Sequence, residues 1–315
     1  SALGLLGAYH MAAAFSEYHC RLLVRLVSLG ILSPFQTNVI KTFPVFRLFD
    51  CKVEEALDEN LSHYESLGSF FTRHIKKDSR QIEYQSDLVS PADGTTTFCG
   101  SFQGGFLQQV KGVHYSLPYF LGLKSHQSSS LLHGSVQEPS ELLHNKYGTT
   151  ALYQHVVYLG PGDYHRFHSP VEWTVDFYRH FPGELLSVKP NVVQACPGLF
   201  HLNERVSWLG SWTHGFFSMT AVGATNVGSI HMDLDPDLKT NRPYGRKSRC
   251  DVAKPCSTRN FYFSEKHFEP SLPFEKGQNF GHFSFGSTIV LIFEAPLDFQ
   301  FQKVINQKVF MGQTL

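Results

Sequence analysis

The run Ile289-Val290-Leu291-Ile292-Phe293 constrains the fold more than any other stretch. It is continuous, apolar and rich in β-branched residues, so it leaves no polar face for water. That pattern predicts a strand buried on both faces. Such a strand needs a sheet around it. Seven more short β-like runs, over 95–99, 106–110, 151–159, 171–178, 205–209, 215–222 and 228–233, follow one another after residue 80 with Gly and Pro between them. Together they predict a compact, mostly antiparallel β-rich domain over 81–315. Two polar stretches interrupt it, Lys124 to Gly148 and Asp235 to Asn260. Neither has apolar periodicity, and both are expected as long loops. The second carries seven basic residues and three Asp, so it either touches anionic head groups or is a solvated loop.

Before residue 80 the pattern is helical. Leu57, Leu61 and Tyr64 recur at helical spacing, and FFTRHIKKDSR places basic residues where a helix C-terminus favours them. A helix is therefore expected over Val53 to Ile75. Cys20 to Leu32 has Arg21 and Arg25 four apart with leucines around them. This short basic amphipathic helix suits a membrane interface or the domain's own core. Ala2 to Phe15 is apolar and small-residue rich, the tail of a membrane span or simply a helix. No run of eighteen purely apolar residues exists. A chain that opens on Ser1 is expected to be processed or truncated, with a targeting signal once ahead of it. The expected class is α+β, with membrane-associating helices over 1–80 followed by the β-rich domain.

With 27 basic and 27 acidic residues, no global field draws nucleic acid or another polyanion. The six Cys are scattered without a C-x-x-C pair, which argues against a structural zinc or a disulfide framework; a single Cys250–Cys256 bridge stays open. The 17 His permit proton-transfer chemistry without proving it.

Three places hold residues suited to chemistry. Ser90-Pro-Ala-Asp93-Gly94 is a turn by its own composition, and an Asp there either forms the turn or holds the tautomer of a distant histidine. Pro161 to Pro170 carries His165 and His168 three apart. Prolines on both sides disfavour a helix, and an odd separation in extended chain points the two rings to opposite sides. Two jobs suit them better than one shared metal, although a structural role is the default for either alone. Phe285-Gly286-Ser287-Thr288 feeds the buried strand. It is a bulge or turn, or a place where the Ser287 hydroxyl attacks the carbonyl behind it.

Six co-linear motifs carry more than these fragments do. They are PADG, KGVHYSL, YHRFHSP, HNERV, GATNVGSI and FGST. In order and spacing, from about Tyr64 to the C-terminus, the chain resembles phosphatidylserine decarboxylase, of the mitochondrial branch. One departure is Phe285, where the family usually has Leu before Gly-Ser-Thr.

The resemblance implies a proenzyme that cuts itself between Gly286 and Ser287 into 1–286 and 287–315. Ser287 then becomes a covalent pyruvoyl group. Carried over by motif, Asp93, His168 and Ser287 form the cutting relay, and His165 serves decarboxylation as proton donor. The implied reaction is Schiff-base formation with phosphatidylserine, loss of CO2 and release of phosphatidylethanolamine, with no metal. The implied setting is the mitochondrial inner membrane, on the intermembrane-space side. The two chains stay together and pair into a dimer. Two rival readings remain: a serine hydrolase acting on lipid esters with Ser287 intact, and a non-catalytic lipid-binding relative in which Phe285 blocks cutting.

Overall fold

The computed structural model describes residues 50–315 except 66, 102–105, 111–112, 124–141, 145–147, 190–191, 194–195, 197, 225–228, 242–262 and 285–286. Along the described residues run strands β1 (Gly94–Ser101), β2 (Phe106–Val110), β3 (Val113–Ser116), β4 (Thr150–Tyr158), β5 (Arg166–His168), β6 (Trp173–Phe181) and β7 (Arg205–Trp212). Then come β8 (Gly215–Val222), β9 (Ile230–Met232), β10 (Ser264–Phe274), β11 (Asn279–Phe283), β12 (Thr288–Pro296) and β13 (Lys308–Val309). Three short helices accompany them: α1 (Leu67–Phe71), α2 (Leu117–Leu121) and α3 (Leu199–Leu202).

Eight strands form one sheet in the order β10-β6-β7-β8-β12-β4-β1-β13. Every pairing in it is antiparallel. The apolar run lies in β12, between β4 (Thr288 opposite Tyr158 through Pro296 opposite Thr150) and β8 (Thr288 opposite Val222 through Phe293 opposite Phe217). Ile289 to Phe293 are fully buried, as expected of a strand with no polar face. A smaller sheet, β5-β11-β9, packs against the large one. Aromatic rings join the two. Phe280 of β11 lies 5.0 Å from Trp208 and 4.3 Å from Phe274, and Phe167 of β5 lies 5.8 Å from Trp208. This interlayer is one use of the chain's 28 Phe.

One carboxylate is buried in the central strand. Glu294 accepts from the His144 N–H (2.8 Å), the Thr150 hydroxyl (2.6 Å) and the Phe216 N–H (3.1 Å). It ties the β7–β8 turn and the entry to β4 onto β12. Gly215, at φ 121, keeps that turn close: a Cβ there would run into the Glu294 carboxylate.

The expected helix over Val53 to Ile75 is corrected. The segment holds 3-10 turns at Val53–Glu55 and Leu61–His63, then α1, and a further turn at Lys77–Ser79. The break has a local cause. Asp58 accepts from the Asn60 N–H at 3.0 Å, and Asn60 accepts from the Ser62 N–H at 3.1 Å. Side chains that bond nearby backbone in this way compete with the helix ladder. The chain instead folds back on itself, with Ala56 bridged antiparallel to Ile75.

Five strands were not anticipated: β3, β5, β10, β11 and β13. β10 carries Pro270 and Pro273 and is largely exposed at the sheet edge, where proline is tolerated. β5 is three residues long, and β11 has Gly281 at its centre. Residues 1–49 lie outside the described residues, and so do the two proposed N-terminal helices, the pair Cys250–Cys256 and most of both long loops. Among the described residues no helix is long and apolar enough to cross a membrane.

Replacing Glu294 with Ala removes the acceptor of three donors, of which the Phe216 N–H is buried. At about 1–3 kcal/mol for a buried group left without its partner, the unfolding free energy of Glu294→Ala from urea titration should fall by about that amount with a lower midpoint, and Glu294→Gln should recover part of the loss. An unchanged midpoint in the Ala variant would show that water replaces the carboxylate.

Candidate active site

The connection from β11 to β12 joins the two sheets. It consists of Ser284, Phe285, Gly286 and Ser287, of which Phe285 and Gly286 lie outside the described residues. Both flanks are fixed. The Ser284 N–H donates to Ser229 O at 3.1 Å, and Ser287 O accepts from the Leu159 N–H at 2.8 Å. Ser287 is fully buried, and its Oγ has no hydrogen-bond partner among the described residues. Thr288 Oγ1 beside it is also buried and unpaired. A buried hydroxyl without a partner costs about 1–3 kcal/mol. Two in succession where the link enters the fully buried strand are a cost a merely structural link would have no reason to carry.

His165 and His168 reach this region through strand pairing. β5 runs antiparallel to β11, with His168 opposite Asn279 and Arg166 opposite His282, and the Phe283 N–H donates to His165 O at 3.0 Å. His165 is therefore anchored to the end of β11 that leads into Ser287. His168 lies at the far end. At about 3.3 Å per residue, three positions separate them by about 10 Å along the strand.

The two rings have different partners. His165 Nδ1 lies 2.6 Å from Asp163 O. A carbonyl only accepts, so Nδ1 carries the proton and Nε2 presents its lone pair. That Nε2 is buried with no partner. Phe71 of α1 meets the ring edge-on at 5.0 Å. His168 Nδ1 donates to Gly277 O at 2.9 Å, so its Nε2 accepts from the Tyr164 hydroxyl at 3.1 Å. Burial pushes both imidazoles down to about 4, which keeps them neutral at pH 7.

Asp93 is buried at the start of β1, but its carboxylate faces another partner. Arg80 Nε donates to it at 2.9 and 3.1 Å, Arg80 Nη2 donates to it as well, and the Met311 N–H adds a contact at 2.9 Å. Arg80 also binds Glu55 at 2.7 Å. Asp93 is close enough to favour the charged form of both histidines, yet it bonds neither. The expected chain from Asp93 through His168 to Ser287 is thus not closed by hydrogen bonds here.

Arg80, Tyr164, Phe71 and the Leu159 amide were missed as site residues. Their only signal in the sequence was closeness to motifs already singled out. Asn203 and Glu204, quoted within HNERV, support the surroundings. Asn203 bonds Leu186 N, Leu186 O and Gly223 O at 2.8–2.9 Å, and Glu204 pairs with His180 at 2.8 Å. Among the described residues no three His, Cys, Asp or Glu side chains converge as a metal site.

A cavity of about 530 Å3 with charged side chains in its walls is lined by Asp93, Tyr164, the Gly160–Asp163 turn, Arg73 and Lys308 among others. Gly160 follows Leu159, whose amide holds Ser287. The described residues therefore offer a hydroxyl with no competing bond, a neutral base with a free lone pair, and a charge-lined cavity walled by Asp93 and Tyr164.

Comparison with known proteins gives the family. The family model for phosphatidylserine decarboxylase matches residues 67–315. The mitochondrial phosphatidylserine decarboxylase proenzyme of Rattus norvegicus is 42% identical over 280 residues, covering 86% of this chain and 66% of that protein. The protein of the same name from Cricetulus griseus is 40% identical over 318 residues, covering 98% of this chain and 75% of its own length. Proenzyme 1 of Saccharomyces cerevisiae is 37% identical over 332 residues, covering 85% and 66%. The chain thus spans about two thirds of the length of most of these relatives. With its orphaned serine at the sheet junction and this likeness along nearly all of its β-rich part, the chain belongs to the phosphatidylserine decarboxylase family.

Proposed function

We propose that this chain is a self-cleaving proenzyme whose mature form converts phosphatidylserine to phosphatidylethanolamine and CO2. The observation that carries the reading is Ser287 Oγ, fully buried and without a hydrogen-bond partner among the described residues at the junction of the two sheets. Family membership supplies the reaction class.

Cutting uses the chain's own atoms. A histidine takes the Ser287 hydroxyl proton, a step worth about 10²–10⁴-fold. Oγ attacks the Gly286 carbonyl, and the amide becomes an ester as the C–N bond breaks. Loss of the Ser287 Cα proton expels the Gly286 carboxylate and leaves a double bond, which tautomerises to an imine. Water then replaces the nitrogen, ammonia leaves, and a ketone remains at position 287. The fit to this group rests on the unpaired Oγ and on the Leu159 N–H that holds the adjacent carbonyl. Once formed, the keto group supplies an electron sink to the carbon that loses CO2. Neutral His165 takes a proton before it donates one to the product carbon. Its tautomer makes it a base on arrival.

His168, with Asp93 in support, is our first assignment for the cutting base, and His165 for decarboxylation. In that assignment Tyr164 releases His168 Nε2 before it reaches Ser287. A second reading has His165 cut as well. It is favoured by the free lone pair on His165 Nε2 and by the anchoring of His165 to Phe283. We further place the protein on the mitochondrial inner membrane, facing the intermembrane space, as a dimer of two-chain units. The relatives are named mitochondrial.

Three outcomes test this. Ser287→Ala should stay one chain on a denaturing gel, take no hydrazide label and release no CO2; CO2 release from that variant would sink the proposal. His168→Ala should stay uncut, whereas His165→Ala should cut and lose at least about tenfold in CO2 release, in line with the loss of a general acid–base group. An uncut His165→Ala would select the second reading. The third outcome concerns pH. A histidine in the unfolded chain takes up its proton near 6.5, and these two do so only near 4 in the fold. Between those values the unfolded chain binds more protons, so stability falls as pH drops from about 6.5 towards 4. Urea midpoints of the uncut Ser287→Ala protein should decline over that window, and adding His165→Ala should flatten the decline. A decline of equal slope in both would show that His165 is hydrated.

A further inference from the structure

The cavity lined by Asp93 and by Tyr164, the hydrogen-bond partner of His168, contains one cation whose role is unexplained. Its walls carry four acids and four bases. Asp50 pairs with Lys52 at 3.2 Å, Asp163 pairs with Lys308, and Glu55 and Asp93 share Arg80. All four acids are thus engaged by three of the bases. The fourth base, Arg73, has no carboxylate within ion-pair distance among the described residues.

Arg73 is only 4% exposed. Its Nη1 donates to Phe70 O at 3.3 Å, and its guanidinium lies 4.3 Å over the Phe70 ring. Its Nε is buried with no partner. A buried guanidinium strongly prefers an anion to a single carbonyl, because five donors in a planar fork match a carboxylate or phosphate. Its position is set by the segment that closes the site. Phe71 packs on His165, and Thr72 O accepts from Arg166 Nη1 at 3.3 Å. Arg73 follows at once, near enough to His165 to disfavour its protonation.

We infer that Arg73 holds the phosphodiester of the phosphatidylserine headgroup. The inference rests on the function proposed above and names how that site grips its substrate. The headgroup offers two anions. The carboxylate is the group that leaves as CO2, and a guanidinium on it would stabilise the charged ground state that must be lost. The phosphodiester keeps its charge from binding to release, so gripping it tightens substrate and transition state alike. The cavity is formally neutral overall, so its selectivity for an anion comes from this one unpaired fork and not from a broad field.

The test uses the full chain purified after self-cleavage. Arg73→Gln should cut as the parent does. Its KM for phosphatidylserine in detergent micelles should rise about 10- to 100-fold with kcat within about threefold, as expected for loss of a charge-assisted bond made equally in both states. Arg73→Lys should fall between, since it keeps the charge and loses the fork. Glycerol 3-phosphate should inhibit the parent competitively and Arg73→Gln at least about tenfold less. An unchanged KM in both variants, or a loss confined to kcat, overturns the inference. Should neither variant fold, absence of competition by glycerol 3-phosphate in the parent overturns it as well. Calorimetry with glycerophosphoserine keeps the two proposals apart. Arg73-dependent binding to a parent that releases no CO2 would retain the anion site and reject the decarboxylase reading. CO2 release without such binding would do the reverse.

Discussion

The clamp on β12 is the constraint from which the rest follows. It is hydrogen-bonded along both sides, buried on both faces and tied by Glu294 to the turn of its neighbours. A strand held so firmly has little freedom at its first residue. Ser287 immediately precedes it, with its carbonyl fixed by Leu159 and its hydroxyl left without a partner among the described residues. On the other side of the link, β11 is equally fixed by β5 and β9. The four-residue connection between two rigid sheets, Ser284 to Ser287, is therefore where positional precision can be delivered to one peptide bond. It also explains why a short chain starting at residue 287 would remain seated, since nearly all its apolar surface lies in the core.

Charge around the site is arranged by burial more than by direct pairing of the catalytic candidates. The histidines are kept neutral by desolvation, with their tautomers set by the carbonyls of Asp163 and Gly277. Asp93 is committed to Arg80, which is itself shared with Glu55. A buried carboxylate so paired is costly to release, because either partner alone would be left as an uncompensated charge. Asp93 acts on the histidines through its field at a distance, while its hydrogen bonds position residues 80 and 311.

The segment before residue 80 belongs to the site more than its sequence suggests. Its helical spacing pointed to a single helix, but Asp58 and Asn60 draw backbone amides to themselves and turn the chain back. The consequence is functional. The fold-back delivers Phe71, Thr72, Arg73 and Arg80 onto His165, Arg166, the cavity and Asp93 in turn. A straight helix carries one face to one neighbour, and could not distribute four consecutive contacts this way.

By itself the sequence determined the β-rich antiparallel class, the central buried strand and the motifs that carry Asp93, His165, His168 and Ser287. Each of those is a local property, either hydrophobic period or the order of residue types along the chain. Edge strand β10, three-residue β5 and glycine-centred β11 escaped because they are stabilised by their neighbours and not by their own composition. Only the tertiary structure decided which groups pair. It gave Asp93 to Arg80, left His165 Nε2 and Ser287 Oγ without partners, and isolated Arg73 as the cavity's unpaired cation. Hydrogen-bond partnership depends on distances between residues far apart in the chain, and no local pattern encodes those distances until the sheets have packed.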